Sequence, residues 1–510
     1  MTQTTPSSQD TGVSAASGPS MSTRIGRVAA ASAGALVVGE LITLVQTVAL
    51  ARLLSPAEIG IFVSGTVITA FLAEFVEGGL RAGLVQREHD VADTAETVFW
   101  ATLFGGVISS LGALAAAPVI GMLFNSTTAG LIAAASSGSL LLFSLTNVPE
   151  SMLQREFSVK RRLIVGPTVS VAYAGTAVTL AALGCGVWSL VIGSYASFLA
   201  WVISVWAITD WRPGRGRASY RLWRELARYG LPLVLGAIGA RLQNAAETLI
   251  VGRGLTSAAL GNFRYGQRIS QIPVRAIIEI GAVSLFPAFS RMAGDQARMR
   301  AAYLRAMRWV TIGAAPLCGM MIALGEPAVI VVFGEPWRDG GMVVMAMAGL
   351  GLGKAFISVS EEVIKATGRT RLLNWYTAVE VSVGIGSLVA LVAWLGLVGA
   401  GLAMSVTALV VGLTVIGLAL PLLAASWSQI AHAVIPPLPA AAVATVAVWL
   451  LDRHVVHAQD HPIALSVVML MLDSVAFIVV YLAVLSVTAP HSTAEAGRAV
   501  VRLVARRGDR

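Results

Sequence analysis

Apolar runs of about twenty residues recur from residue 29 to residue 487, separated by short polar connections. A helix needs about 20 apolar residues to cross the hydrocarbon of a bilayer, so the pattern predicts an all-α integral membrane protein. Fourteen spans are expected, near 29–50, 58–80, 97–121, 129–149, 163–183, 187–209, 229–251, 268–290, 307–325, 341–364, 374–395, 399–422, 431–451 and 463–487. The connections are short, none beyond about 20 residues, so no soluble domain is expected to carry a catalytic site.

One pattern returns. Arg52 to Phe62 (RLLSPAEIGIF) comes back 201 positions later as Arg253 to Phe263 (RGLTSAALGNF), without a gap. Each copy follows an odd-numbered span, so both face the same side. The repeat therefore predicts a parallel duplication of six helices. Transporters built from such halves place substrate between them, near the midplane. The expected organisation is a disordered cytoplasmic tail (1–23), a first lobe (24–210, helices 1–6), a basic cytoplasmic linker (211–228) and a second lobe (229–424, helices 7–12). Helices 13 and 14 (425–489) and a basic cytoplasmic tail (490–510) follow. Either Met1 or Met21 fits as the start. The run after Arg24 and Arg27 is too long for a signal peptide.

Composition agrees with the membrane reading: 56% of residues are hydrophobic and 12% charged, against about 25% charged in soluble domains. The net charge of +9 reflects loop arginines rather than nucleic-acid binding. With the N-terminus inside, six Lys/Arg lie in outside segments (Arg52, Arg253, Arg264, Arg268, Arg338 and Arg453). Three lie within spans, and the other 27 of 36 lie inside. That asymmetry predicts both termini in the cytoplasm. Cys185 and Cys318 sit in apolar runs and read as packing residues.

Charges at mid-membrane depth are costly unless they face a cavity or a partner. Span 7 carries Arg241, Asn244 and Glu247 at spacings of three, roughly on one side of a helix. Span 8 carries Gln271, Arg275 and Glu279 at i,i+4 steps, and span 10 carries Lys354. Glu40 lies in span 1, Glu74 and Glu77 in span 2, and Asp473 in span 14. Arg241, Arg275 and Lys354 are the candidate cavity cations for substrate. Glu40, Glu247, Glu279 and Asn244 are candidate partners or ion-coupling groups. Arg275–Glu279 fits a simple i,i+4 ion pair equally well. Glu74, Glu77, Glu361 and Glu362 fall near cytoplasmic ends, where snorkelling explains them.

Two motifs are set aside. Gly349, Gly351 and Gly353 before Lys354 lack phosphate-loop spacing and read as packing glycines. Asp452, His454, His457, Asp460 and His461 form a polar outer loop that solvation explains without a metal. No cofactor is expected.

Several segments together carry a family resemblance. ALARLLSPAEIGIF (49–62), MLQREFSVKRR (152–162), GCGVWSLVIG (184–193) and LIVGRGLTSAALGNF followed by SLFPAFSRM occur in order. The chain resembles Wzx-type polysaccharide and O-antigen flippases, within the multidrug/oligosaccharidyl-lipid/polysaccharide exporter superfamily. The resemblance implies fourteen helices, two six-helix lobes in a V, and no enzyme. It implies transfer of an undecaprenyl-pyrophosphate-linked oligosaccharide across the bacterial inner membrane for O-antigen, capsule or exopolysaccharide export. A polysaccharide polymerase and glycosyltransferases would act beside it. Other exporters of the superfamily, a lipid II flippase or a multidrug antiporter, are the alternatives. A membrane polysaccharide polymerase or ligase would need a long outer loop, which the chain lacks.

Overall fold

The computed structural model describes residues 39–156, 161–292 and 294–490, and these are helical nearly throughout. The helices are α1 (39–53), α2 (Pro56–Glu77), α3 (Leu80–Gln86), α4 (Val91–Leu123), α5 (Thr127–Ser136), α6 (Ser139–Arg155), α7 (Gly166–Ala182), α8 (Trp188–Ile208), α9 (Tyr220–Gly254), α10 (Ser257–Ser290), α11 (Gln296–Phe333), α12 (Arg338–Ala346), α13 (Gly349–Ala366), α14 (Leu372–Leu423), α15 (Trp427–Val434), α16 (Pro437–Leu451) and α17 (Ile463–Thr488). Among the described residues, nine helices are long and apolar enough to cross a membrane. A tenth is counted if the pair joined at 347–348, bent by 42°, is one span. The 52-residue α14 is two helices meeting at Gly396, where φ is 57°. Only glycine adopts that conformation at little cost.

Several helices run past the apolar segments that mark them. α9 begins at Tyr220 rather than near 229, α10 at Ser257 rather than near 268, and α11 covers 296–333 rather than 307–325. Apolarity marks only what sits in hydrocarbon, whereas Arg, Glu, Gln and Ala at the ends prolong a helix well.

The repeated motif is a helix–cap–helix corner. The Ser55 hydroxyl caps α2 by accepting from the Glu58 amide, and the Glu58 carboxylate in turn accepts from the Ser55 amide. Thr256 caps α10 in the same way, accepting from the Ala259 amide at 3.0 Å. This satisfies amides that a helix start otherwise leaves open. The two corners meet. A Cβ placed on Gly60 would lie 1.7 Å from the Ser257 carbonyl oxygen, and one on Gly261 would lie 1.9 Å from that of Pro56. Backbone thus rests on backbone between α2 and α10, the close approach that small residues allow in membrane helices.

The corner end is fastened further. Arg52 donates to the carbonyls of Val331 and Val332, capping the last turn of α11. The Trp337 indole donates to the Ala51 carbonyl at 2.8 Å. Trp337 is fully buried, with its ring centroid 4.3 Å from that of Tyr265. Leu50, Leu54, Ile59, Leu260, Phe263 and Phe333 complete this core, which draws on both copies of the repeat.

At the other end, segment 211–219 is pinned to the start of α4. The amides of Gly214, Arg217 and Ser219 donate to Glu96, Asp93 and Thr97. α16 and α17 pack on α11, where Gly319 admits Thr445 and Phe477, and the Tyr481 hydroxyl donates to the Ile312 carbonyl. Cys318 is buried beside Gly351, but Cys185 is exposed, so only one of the two cysteines packs. Cys185 sits between Gly184 and Gly186 in a turn after α7, which lifts it out of the apolar run.

Candidate functional site and its relatives

α9, α10, α13 and the first part of α14 enclose a cavity of ≈ 460 Å³. Its polar lining includes Gln243, Asn244, Glu247, Gln271, Arg275 and Lys354. Arg275, Lys354, Glu247 and Asn244, from three helices, are thus brought together. Arg241 lies one residue beyond Ala240 of the same wall. The Glu279 side chain falls outside the described residues.

Among the described residues, the charges on the cavity wall have partners. Glu247 is 3% exposed and accepts from Arg264 at 2.9 Å. The same guanidinium donates to the Gln267 side chain, the Thr248 hydroxyl and the Asn244 carbonyl. Asn244 itself donates to the Ala240 carbonyl. Lys354 pairs with Glu380 at 2.9 Å. These two pairs lie within the second half of the chain.

The other two join the halves. Arg241 on α9 pairs with Glu74 on α2 at 2.7 Å, and Arg275 on α10 lies 3.9 Å from Glu40 on α1. Both arginines stay well exposed, at 48% and 64% of their side chains. Such pairs are weak and separable where water reaches both partners. Glu361 and Glu362 pair with Lys365 at the end of α13.

Reading the sequence missed Arg264, Glu380 and the pairing role of Glu74. Arg264 falls before the apolar part of α10 and so reads as a loop residue. Its helical spacing to Gln267, Gln271 and Arg275 continues the stripe on that helix and was the available signal. Glu380 carried the signal that Lys354 did, an acid inside an apolar span (374–395), but its pairing was hidden because its partner lies on another helix.

The phosphate-loop-like glycines are helical packing positions. A Cβ on Gly353 would meet the Ala408 backbone at 2.3 Å, and Gly349 rests against Ser405. In the polar loop, Asp452 accepts from the Ala458 amide, and His461 bonds the His457 carbonyl. Among the described residues no group of three or more His, Cys, Asp or Glu is placed to hold a metal. Asp473 is 1% exposed, and its Oδ2 has no hydrogen-bond partner among the described residues.

Beside the Glu74–Arg241 pair runs an apolar groove of ≈ 800 Å³ between α2, α4 and α9. Phe75, Trp100, Phe104, Tyr220, Trp223 and Ile238 are on its walls.

A family model described as "Polysaccharide biosynthesis protein" matches residues 49–342. The succinoglycan biosynthesis transport protein ExoT of Rhizobium meliloti is 27% identical over 69% of this chain and 73% of its own length. The lipopolysaccharide biosynthesis protein WzxC of Escherichia coli is 21% identical over 61% and 63%. Among solved structures, the lipid II flippase MurJ superposes with a TM-score of 0.69 at 12% identity, covering 89% of this chain and 98% of MurJ. An inward-facing MATE-family multidrug transporter gives 0.61 at 15% identity, covering 76% and 94%. These two share the fold. The chain belongs to the polysaccharide biosynthesis protein family, as a multi-pass membrane transporter.

Proposed function

We propose that the protein carries a polyprenyl-pyrophosphate-linked oligosaccharide from the cytoplasmic to the outer leaflet of the bacterial inner membrane, by alternating access of its two halves. The observation that carries this reading is the placement of cations. Arg241 and Arg275 lie where the halves meet, each in an exposed ion pair, and Lys354 lines the adjoining cavity. A pyrophosphate cannot cross hydrocarbon unaided, and guanidinium groups bind its oxygens with paired hydrogen bonds. The apolar groove beside Glu74 and Arg241 suits the polyprenyl tail, with the head at the arginine and the sugars in the water-filled space. The capped corners would face outward and the basic linker the cytoplasm, as the arginine distribution favours. A polymerase and glycosyltransferases would supply and consume the glycan.

Arg241→Ala is expected to lower the rate of lipid-linked glycan flipping by about tenfold or more, the worth of one hydrogen bond to a charged group. Arg241→Lys should recover part of it, since lysine keeps the charge but not the fork. Wild-type rates in both variants would remove Arg241 from the mechanism.

A further inference from the structure

The offset of 201 that carries Arg52 onto Arg253 also carries Glu40 onto Arg241 and Glu74 onto Arg275. The Glu40–Arg275 and Glu74–Arg241 ion pairs are therefore one contact made twice. Position 40 pairs with 275, and its equivalent, 241, pairs with 74, the equivalent of 275. The glycine corner obeys the same rule: Gly60 rests on Ser257 and Gly261 on Pro56, again with the two halves exchanged. Reciprocity of this kind is what a two-fold axis imposes on an interface.

The division of charge is not what closure alone requires. An acid at the first position and an arginine at the second, in both halves, would close both seams equally well. This chain instead places both acids on the first half and both arginines on the second. When the seams part, two guanidiniums remain on one half and two carboxylates on the other. Arg275 lines the cavity, and Arg241 follows Ala240, which lines it too. A pyrophosphate diester carries two ionised oxygens, matching the two carboxylates it would replace.

We infer that Glu40 and Glu74 are positioning residues, a pair of repeat-related clasps across the α1–α10 and α2–α9 seams. They hold Arg275 and Arg241 until the anionic head of the substrate takes their place. The exchange rests on the flipping reading; the clasp does not. Entry of the head group neutralises the arginines, frees the carboxylates and so unfastens both seams at once. An uncharged lipid cannot do this, and the same exchange therefore selects for pyrophosphate.

Two measurements on the full-length protein in lipid nanodiscs separate the parts. The distance between spin labels on α2 and α9 reads the seam. Glu74→Arg and Arg241→Glu should each widen its distribution, and the double variant E74R/R241E should restore it. A distribution unchanged by the single variants overturns the clasp, whatever the protein transports. Titration with inorganic pyrophosphate reads the exchange. Glu40→Gln and Glu74→Gln should each tighten binding about two- to fivefold, the worth of an exposed ion pair. Arg241→Gln and Arg275→Gln should each weaken it about tenfold. A residue with a merely structural role would not tighten binding when neutralised. Equal or weaker binding in both glutamine variants overturns the exchange, while the flipping reading is still decided by its own transport assay.

Discussion

Arg264→Met is expected to destabilise the protein by about 3–5 kcal/mol, the cost of stripping one partner from a buried ion pair. Glu247 is 3% exposed, and Arg264 provides its ion pair at 2.9 Å. Without the guanidinium, the carboxylate keeps only the Gln267 amide at 3.4 Å. The Thr248 hydroxyl and the Asn244 carbonyl also lose their shared donor. The α9–α10 corner is where the damage falls, since all these groups lie on those two helices. The double variant R264M/E247L should recover most of the loss, because removing both charges leaves no buried ion behind. Thermal unfolding of the purified protein in detergent checks this. A single variant as stable as wild type would show that the network adds nothing to the fold.

The second large effect is expected at the crossing of the repeated corners. Gly60→Val places a branched side chain where even a Cβ would stand 1.7 Å from the Ser257 carbonyl oxygen. The obstructing atoms are backbone, so no rotamer change relieves the clash. Overpacking of this kind costs about 1–3 kcal/mol where side chains can adjust, and here they cannot. The α2 and α10 corners should move apart, and the arrangement in which they touch should lose population. Transport should fall at least about tenfold, because 1.4 kcal/mol in a required state is already that factor. Cysteines placed on either side of the crossing should react faster with a membrane-impermeant thiol reagent in the variant, with Cys185 and Cys318 replaced beforehand. Unchanged reactivity together with lost transport would place the effect elsewhere. Gly261→Val should behave alike, since its contact with Pro56 is the same one seen from the other half.

Much of this architecture is legible in the chain. The apolar runs mark helices because lipid leaves backbone polar groups no other partner. The repeat is legible because both corners kept the cap residue, the glycine and the aromatic: Ser55 and Thr256, Gly60 and Gly261, Phe62 and Phe263. Arg275, Lys354 and Arg241 stand out because a charge in an apolar run is costly wherever it sits. What the chain does not show is which charge meets which. Arg241 and Glu74 are 167 residues apart, and their pairing exists only once the halves pack. Glu380 lies 26 residues from Lys354 on a different helix, beyond any local spacing rule. Arg264 was hidden for another reason, because hydropathy ends the span at the last apolar turn while the helix itself continues to Ser257.

The two halves thus keep the geometry of duplication at their corners and differ in charge at the seams. Glu40 and Glu74 stand on one side, with Arg241 and Arg275 facing them in exchanged order. An anionic lipid head group between the halves would find two cations on one wall, and its apolar tail the groove beside Glu74 and Arg241.

The most direct measurement is flipping by the purified protein in proteoliposomes that carry a short polyprenyl-pyrophosphate oligosaccharide in one leaflet. Its arrival in the other leaflet is followed with an impermeant glycan-cleaving enzyme. The account predicts protein-dependent arrival that is lost when the pyrophosphate is replaced by an uncharged linkage. Arrival no faster than in protein-free vesicles, or equally fast for the uncharged lipid, would contradict it.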